Sequence, residues 1–137
     1  MQPDKPKYVF ELPIKVRDYE VDSEGIVNNA NYLHYLEHTR HEFCEKVGFR
    51  FRDMHEQGID PVVSKIEIEY RKPLGLGDTM LSCLAISRKG PLFVFCQDIY
   101  TPHGDIVVKA KVMVATLVGG KLTRGNELYE KFKDYVE

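Results

Sequence analysis

The sequence predicts an α+β domain in which one long helix lies against a curved antiparallel sheet of about five strands. Three observations lead there. Residues 29–47 carry apolar side chains at helical spacing. From residue 62 onward the pattern changes to period two and keeps it through four successive runs. The turns between those runs are short, which makes the strands antiparallel neighbours.

Taken in order, residues 1–7 hold two prolines and two lysines and read as a loose tail. Residues 8–21 read as a strand with Phe10, Leu12, Ile14 and Val16 on one face, and Pro13 makes it an edge strand or a bulged one. Asp22-Ser23-Glu24-Gly25 is a turn by composition. On the helix, Leu33, Leu36, Phe43 and Val47 form the apolar stripe, flanked by Tyr32 and Cys44. Asn28 or Asn29 suits the N-cap, and Gly48 ends the helix. Arg40 breaks the stripe near its centre, so it needs a carboxylate or backbone partner, or an exposed end. Strands follow at 62–71, 79–88, 92–101 and 106–118, and 127–136 reads as a short terminal helix. Both faces of the later strands are largely apolar, so the face turned away from the helix is expected to meet a second subunit.

Composition excludes several classes of function. The 137 residues fit one domain spanning 1–137, and 43% hydrophobic with 29% charged residues argues against wholesale disorder. Nineteen basic against 21 acidic residues give a net charge of -2, without the overall positive field of a dedicated nucleic-acid binder. No apolar run approaches the roughly 20 residues that cross a bilayer, and the N-terminus has no signal core, so a cytoplasmic location is expected. Cys44, Cys83 and Cys96 are odd in number and include no C-x-x-C, which predicts reduced thiols.

The chemistry concentrates in residues 17–33. A carboxylate, Asp22, stands on a turn just before a long helix. The first N–H groups of a helix have no intrahelical acceptor, and with the helix dipole they favour negative charge. A carbonyl oxygen placed there would be polarised. A nearby carboxylate could then activate water or attack the carbonyl carbon itself. From spacing alone, Asp22 reads first as a turn or capping residue.

The pattern Tyr19-x-x-Asp22-x-x-Gly25-Ile-Val27-x-Asn29-Ala-Asn-Tyr32 resembles that of hotdog-fold acyl-CoA thioesterases of the 4-hydroxybenzoyl-CoA thioesterase type, a group that includes the Tol-Pal-associated bacterial enzymes. The likeness continues at Tyr35-Leu-Glu37-x-x-Arg40, Val62-Val63, Ile68-x-Tyr70-x-x-Pro73 and Gly77-Asp78. Val27-Asn28-Asn29 is also similar to a motif of plant acyl-carrier-protein thioesterases. The resemblance implies a hotdog fold, a homodimer or homotetramer, and hydrolysis of acyl-CoA to free acid and coenzyme A at a subunit interface, with no metal and no bound cofactor. It places Asp22 on the catalytic aspartate and Asn29 on the helix-start position whose backbone N–H faces the thioester carbonyl. Gly25, Val27 and Tyr32 fall on its substrate-binding segment. Several relatives carry histidine or tyrosine where this chain has Asn29, so Asp22 stays open as general base or nucleophile.

Other groupings compete for attention. His34-Tyr-Leu-Glu37-His38 matches the H-x-x-E-H pattern of inverzincin peptidases. Its histidines lie with His41 opposite the apolar stripe, and no third ligand is evident, so no physiological metal is expected. Glu37 either pairs with Arg40 at i,i+3 or supports the substrate. Arg88-Lys89, and Lys121 with Arg124, either hold coenzyme A phosphates or are solvated charges. Tyr32, Tyr35, Phe43, Phe93 and Phe95 line an acyl tunnel or simply pack the core. Two rival functions remain at this point. One is a non-catalytic acyl-CoA-binding module. The other is a hotdog dehydratase, which needs an Asp-x-x-x-x-His arrangement that this chain lacks, since no histidine follows Asp22 before His34.

Overall fold

The computed structural model describes residues 6–137. The elements run β1 (Phe10–Lys15), a 3-10 turn (Asp18–Glu20), α1 (Asn29–Lys46), α2 (Phe51–Glu56), β2 (Ile59–Tyr70), β3 (Thr79–Lys89), β4 (Leu92–Tyr100), β5 (Ile106–Val118), β6 (Lys121–Leu122) and α3 (Asn126–Phe132). One antiparallel sheet has the order β1-β3-β4-β5-β2, with the two-residue β6 added to β5. Short turns set the β3-β4-β5 meander, while β2 reaches the far edge beside β5 because the chain first passes through both helices. This is the helix-and-curled-sheet architecture expected from the sequence.

The inner face of the sheet packs on α1. Leu84 and Ile86 of β3, Phe93 and Phe95 of β4 and Val112 of β5 meet Tyr35, Leu36 and Phe43 of α1 in one core. Full burial of such side chains contributes about 1.5–3 kcal/mol each, and these contacts hold the helix. The face α1 buries is rotated from the stripe the sequence suggests. Leu33 is 39% exposed, whereas Tyr32, Leu36, Thr39, Arg40 and Phe43 are buried. The sheet supplies polar partners there, so residues that look wrong for a core become acceptable: Thr39 and Ser82 share a hydroxyl hydrogen bond of 2.7 Å.

Other departures have local causes. The strand expected over 8–21 ends at Lys15, because Val16 donates to the Asp78 carbonyl and the chain then folds into the 3-10 turn. β1 is an edge strand with Pro13 exposed, as the proline requires. The spacing predicts no element over 51–56, yet α2 forms there and buries only Met54. Of the expected tail, residues 1–5 lie outside the described residues, and the Lys7 N–H donates to Glu137.

The outer face of β3 and β4 differs from expectation as well. Cys83, Ala85, Val94 and Asp98 are already buried within one chain. Tyr8 hydrogen-bonds Asp98 and Tyr100, and Glu137 lies with Cys96 and Asp98 along one pocket, so the chain's own ends contribute to that cover. Exposed apolar side chains gather instead on β2: Val62, Val63, Ile66 and Tyr70.

Candidate active site

The segment between β1 and α1 is a tight hairpin. Val21 and Val27 pair as an isolated bridge, the Asp22 N–H donates to the Ile26 carbonyl at 2.8 Å, and the Gly25 N–H donates to the Asp22 carbonyl at 3.0 Å. Gly25 takes φ of 81°, a conformation few other residues tolerate, and this closes the turn. Asp22 Oδ1 accepts the Glu24 N–H at 2.8 Å. That Asx turn fixes the plane of the carboxylate. Oδ2 makes no hydrogen bond among the described residues, and Asp22 is exposed.

The hairpin delivers the chain straight into α1. Asn28 is the N-cap: its side-chain oxygen accepts the Ala30 N–H at 2.9 Å, and its carbonyl accepts the Asn31 N–H at 2.9 Å. The Asn29 N–H is left without an acceptor among the described residues. An unpaired donor thus stands at the positive end of an 18-residue helix, seven residues after a carboxylate with one oxygen outside the hairpin's hydrogen bonds.

A buried carboxylate, which the sequence reading overlooked, anchors this arrangement. Glu20 is 6% exposed. Its side chain accepts the Arg17 N–H at 2.8 Å, the Arg17 guanidinium at 2.9 Å and the Tyr35 hydroxyl at 2.9 Å. Its carbonyl accepts the Asn31 amide at 2.8 Å and the Asn28 N–H at 3.2 Å. Burial alone would raise the Glu20 carboxyl, but the bonds from Arg17 and Tyr35 outweigh burial and hold it below the usual carboxylate range. The spacing of Arg17 and Glu20, three apart, was the available signal.

Val27 and Tyr32 are buried beneath the hairpin. The Val27 N–H donates to Leu74 and the Tyr32 hydroxyl accepts the Leu74 N–H at 3.2 Å, which ties the 74–78 turn to the helix start. Gly75 is packed so closely that a Cβ would stand 3.3 Å from the Gly25 carbonyl. The Tyr70 hydroxyl, from β2, reaches the Asn29 carbonyl at 3.4 Å.

The remaining expected residues lie elsewhere in the chain. Glu37 is two turns along α1 from Asn29, and it forms no ion pair with Arg40, which donates instead to the Gln97 side chain at 3.0 Å. Arg88 and Lys89 stand at the far end of β3, about 30 Å of strand from the Asp78 turn. Arg88 donates to the Arg124 carbonyl and the Asn126 side chain and stacks on Phe93 and Tyr129, whereas Lys89 is exposed. Tyr35, Phe43, Phe93 and Phe95 are core residues of the single chain. His34, His38 and His41 are exposed, and among the described residues no three His, Cys, Asp or Glu side chains gather as a metal site. Among the described residues, Cys44, Cys83 and Cys96 form no disulfide with one another. Among the described residues, no helix is long and apolar enough to cross a membrane.

Comparison with known proteins adds independent findings. A family model described as the thioesterase-like superfamily matches residues 16–132. The putative acyl-CoA thioesterase YneP of Bacillus subtilis (strain 168) is 36% identical over 104 residues, covering 75% of either chain. The chloroplastic acyl-acyl carrier protein thioesterase ATL3 of Arabidopsis thaliana is 39% identical over 103 residues. That match covers 74% of this chain and 54% of the plant protein, so the chain spans about half that relative's length. Among solved structures, the probable thioesterase YbaW from Escherichia coli superposes with a TM-score of 0.82 at 31% identity, covering 93% of this chain and 98% of that one.

Proposed function

The chain belongs to the thioesterase-like superfamily, and from that premise we propose that it hydrolyses acyl-CoA thioesters to a free acid and coenzyme A. One observation carries the reading: the free Asn29 N–H at the helix start and the Asx-turn-held Asp22 carboxylate are built by one continuous hairpin. In the proposed reaction the Asn29 N–H donates to the thioester carbonyl oxygen and polarises it. Asp22 Oδ2 takes a proton from water as that water attacks the carbonyl carbon, or attacks the carbon itself to form a mixed anhydride that water then hydrolyses to the free acid. In either route the C–S bond breaks, and the coenzyme A thiolate takes up a proton. Gly25 and Val27 shape the floor beside that carbonyl, and Tyr32 fixes it through Leu74. Exposed Lys89 suits a phosphate of coenzyme A, and Glu37 is a supporting residue.

Exposure of Asp22 in one chain argues that the site closes in a homodimer. β2 is a long sheet edge on which Val63 and Ile66 are exposed, an apolar surface that a partner strand would cover. A tetramer would pair two such dimers. Three cysteines without a disulfide among the described residues fit the reducing cytoplasm. The similarity to the plant relative favours acyl-carrier-protein thioesters as the second reading of the substrate.

Thiol release from a panel of acyl-CoA and acyl-carrier-protein thioesters tests the proposal. Wild type should turn over at least one CoA thioester, and Asp22→Asn should lose about 100-fold or more in kcat while melting as wild type. Equal rates for the two proteins would overturn the assignment of Asp22. Tight binding of every thioester without turnover would favour the binding module.

A further inference from the structure

Arg40 lies on α1 well away from the helix start, about 16 Å along the axis from Asn29 at 1.5 Å per residue. It has no part in the proposed reaction, yet it is 7% exposed, on the face of α1 that packs against the sheet. A buried charge is expected to have a counter-charge, because removing it from water is costly. Among the described residues no carboxylate stands within ion-pair distance of Arg40. Its one hydrogen bond there runs from Nη1 to the neutral side-chain oxygen of Gln97, at 3.0 Å. Gln97 is itself fully buried and donates its amide to the Leu36 carbonyl at 2.9 Å, so it is a fixed bracket that orients the guanidinium. Burial pulls the Arg40 guanidinium below its ordinary range, and the charge of exposed Glu37, one turn earlier, offsets this in part.

An arginine carries five N–H donors, and most of these are unused. They are not sealed in. Among the described residues, the one wholly occluded side-chain polar atom without a partner is Thr116 Oγ1, so the unbonded Arg40 nitrogens keep an opening. Arg40 lines a cleft of about 410 Å³ between α1, α2, β2 and α3, a volume that suits a small ligand. Buried Phe95, Leu128 and Phe132 give the cleft an apolar wall. Of the other charged groups around it, His55 and Asp60 are bonded to each other, and Arg52 and Glu37 are exposed to water. Arg40 is thus the buried charge in the cleft that no protein group answers.

We propose that this cleft is a second binding site, separate from the reaction site, for a small free carboxylic acid with an apolar tail, such as a short-chain alkanoate. The guanidinium, held in plane by Gln97, binds the carboxylate in a forked, charge-assisted pair, and the tail lies along Phe95 and Leu128. An inorganic anion would leave the apolar wall uncovered, and a neutral alcohol would leave the buried cation unanswered. Free acids are also the product class of the proposed reaction, which gives such a ligand a source. The site itself needs neither Asp22 nor Asn29, and its occupancy is measured without turnover, so it stands or fails apart from the thioesterase reading. Val63, on the edge of β2, forms part of the lining, so the intact assembly is the form to test.

The test is a titration of the intact protein, followed by nitrogen-15 NMR, with hexanoate, hexan-1-ol and acetate as probes. Wild type should bind hexanoate about 10-fold or more tightly than hexan-1-ol, which lacks the charge, and than acetate, which lacks the tail. The side-chain amide signal of Gln97 should move as hexanoate binds. Arg40→Met should weaken hexanoate by about 10- to 100-fold, the range of a hydrogen bond to a charged group, and Arg40→Lys should recover part of the loss. Asp22→Asn should bind hexanoate as wild type does. Absence of hexanoate binding, or equal affinity for hexanoate and hexan-1-ol, overturns the proposal. Binding that Asp22→Asn weakens and Arg40→Met leaves intact would place the acid in the reaction site and overturn it as well. Should Arg40→Met fail to fold, Arg40→Lys decides: an affinity between those of hexanoate and hexan-1-ol for wild type upholds the role of the guanidinium, and an unchanged affinity with an unmoved Gln97 signal overturns it.

Discussion

Glu20 shows how one side chain can set the geometry of a reaction it does not touch. It receives three hydrogen bonds on its carboxylate and two on its carbonyl, and these connect the end of β1 to the first turns of α1. Its carboxyl is held below the usual range. A depressed carboxyl stabilises the fold above its unfolded value, and that contribution is lost as pH falls through the folded value. Wild type should therefore lose stability on acidification below about pH 4, the usual carboxyl range. Glu20→Gln should unfold with a stability lower by about 1–3 kcal/mol at pH 7 and with a shallower acid limb. Urea titrations at pH 7 and pH 4 measure both. An unchanged acid limb would mean that other carboxyls govern it. Asp22→Asn, in contrast, keeps an acceptor for the Glu24 N–H and should leave the urea midpoint in place.

At the scale of elements, α3 and α2 are fixed by different chemistry. α3 begins at Gly125, where φ is 85° and a Cβ would stand 2.9 Å from the Pro91 carbonyl. Arg88 locks that start through Arg124 and Asn126. Arg88→Ala should lower stability by about 1–2 kcal/mol with little change in KM for CoA thioesters, while Lys89→Ala should raise KM several-fold and leave the melt alone. Reversal of those two outcomes would make Arg88 the phosphate ligand. α2 is held to β2 by His55 and Asp60, bonded at 2.5 Å. The Asp60 hydrogen bond raises the His55 imidazolium above its ordinary value, so the tie is complete below about pH 6.5 and fades as pH rises through the raised value. NMR titration should find His55 above the ordinary histidine value, and Asp60→Asn should return it toward that value. The sequence made α1 and the four long strands legible because Leu36 and Phe43, or Ile66 and Ile68, repeat at the period of their element. α2 was hidden because six residues with one buried side chain leave no period to read. The rotated face of α1 was hidden for another reason. Thr39 and Arg40 are buried only because Ser82 and Gln97, more than forty residues away, answer them. Within the candidate site, Asp22 and Asn29 were readable as a motif, whereas Glu20 depended on Tyr35 from the helix and left only a local Arg-Glu spacing to find.

The whole molecule has two sheet edges, and they are treated differently. At one edge β1 carries exposed Pro13, and Val136 covers the strand beyond it at Ile86. At the other, β2 presents twelve residues. Val63 is 46% and Ile66 38% exposed. Proline and charge blunt an edge, and apolar length invites pairing. On β2, Pro61, the register shift between Val63 and Lys65, and Lys65 itself are such devices, yet Val62, Val63 and Ile66 stay exposed among them. A second copy pairing there in antiparallel fashion would extend the sheet and cover Val63 at the mouth of the Arg40 cleft. It would also draw Tyr70, which bonds the Asn29 carbonyl, toward the shared boundary. Assembly and activity are therefore expected to fail together. The double variant Val63→Lys/Ile66→Lys places two charges on the edge without touching Asp22 or the helix start. Light scattering should show wild type at twice the chain mass and the variant at once that mass. The variant should retain its far-ultraviolet spectrum and lose about 10-fold or more in kcat/KM, in the range seen when positioning is disturbed. A monomer with full activity would show that one chain holds the complete site, and a variant that remains dimeric would move the interface away from β2.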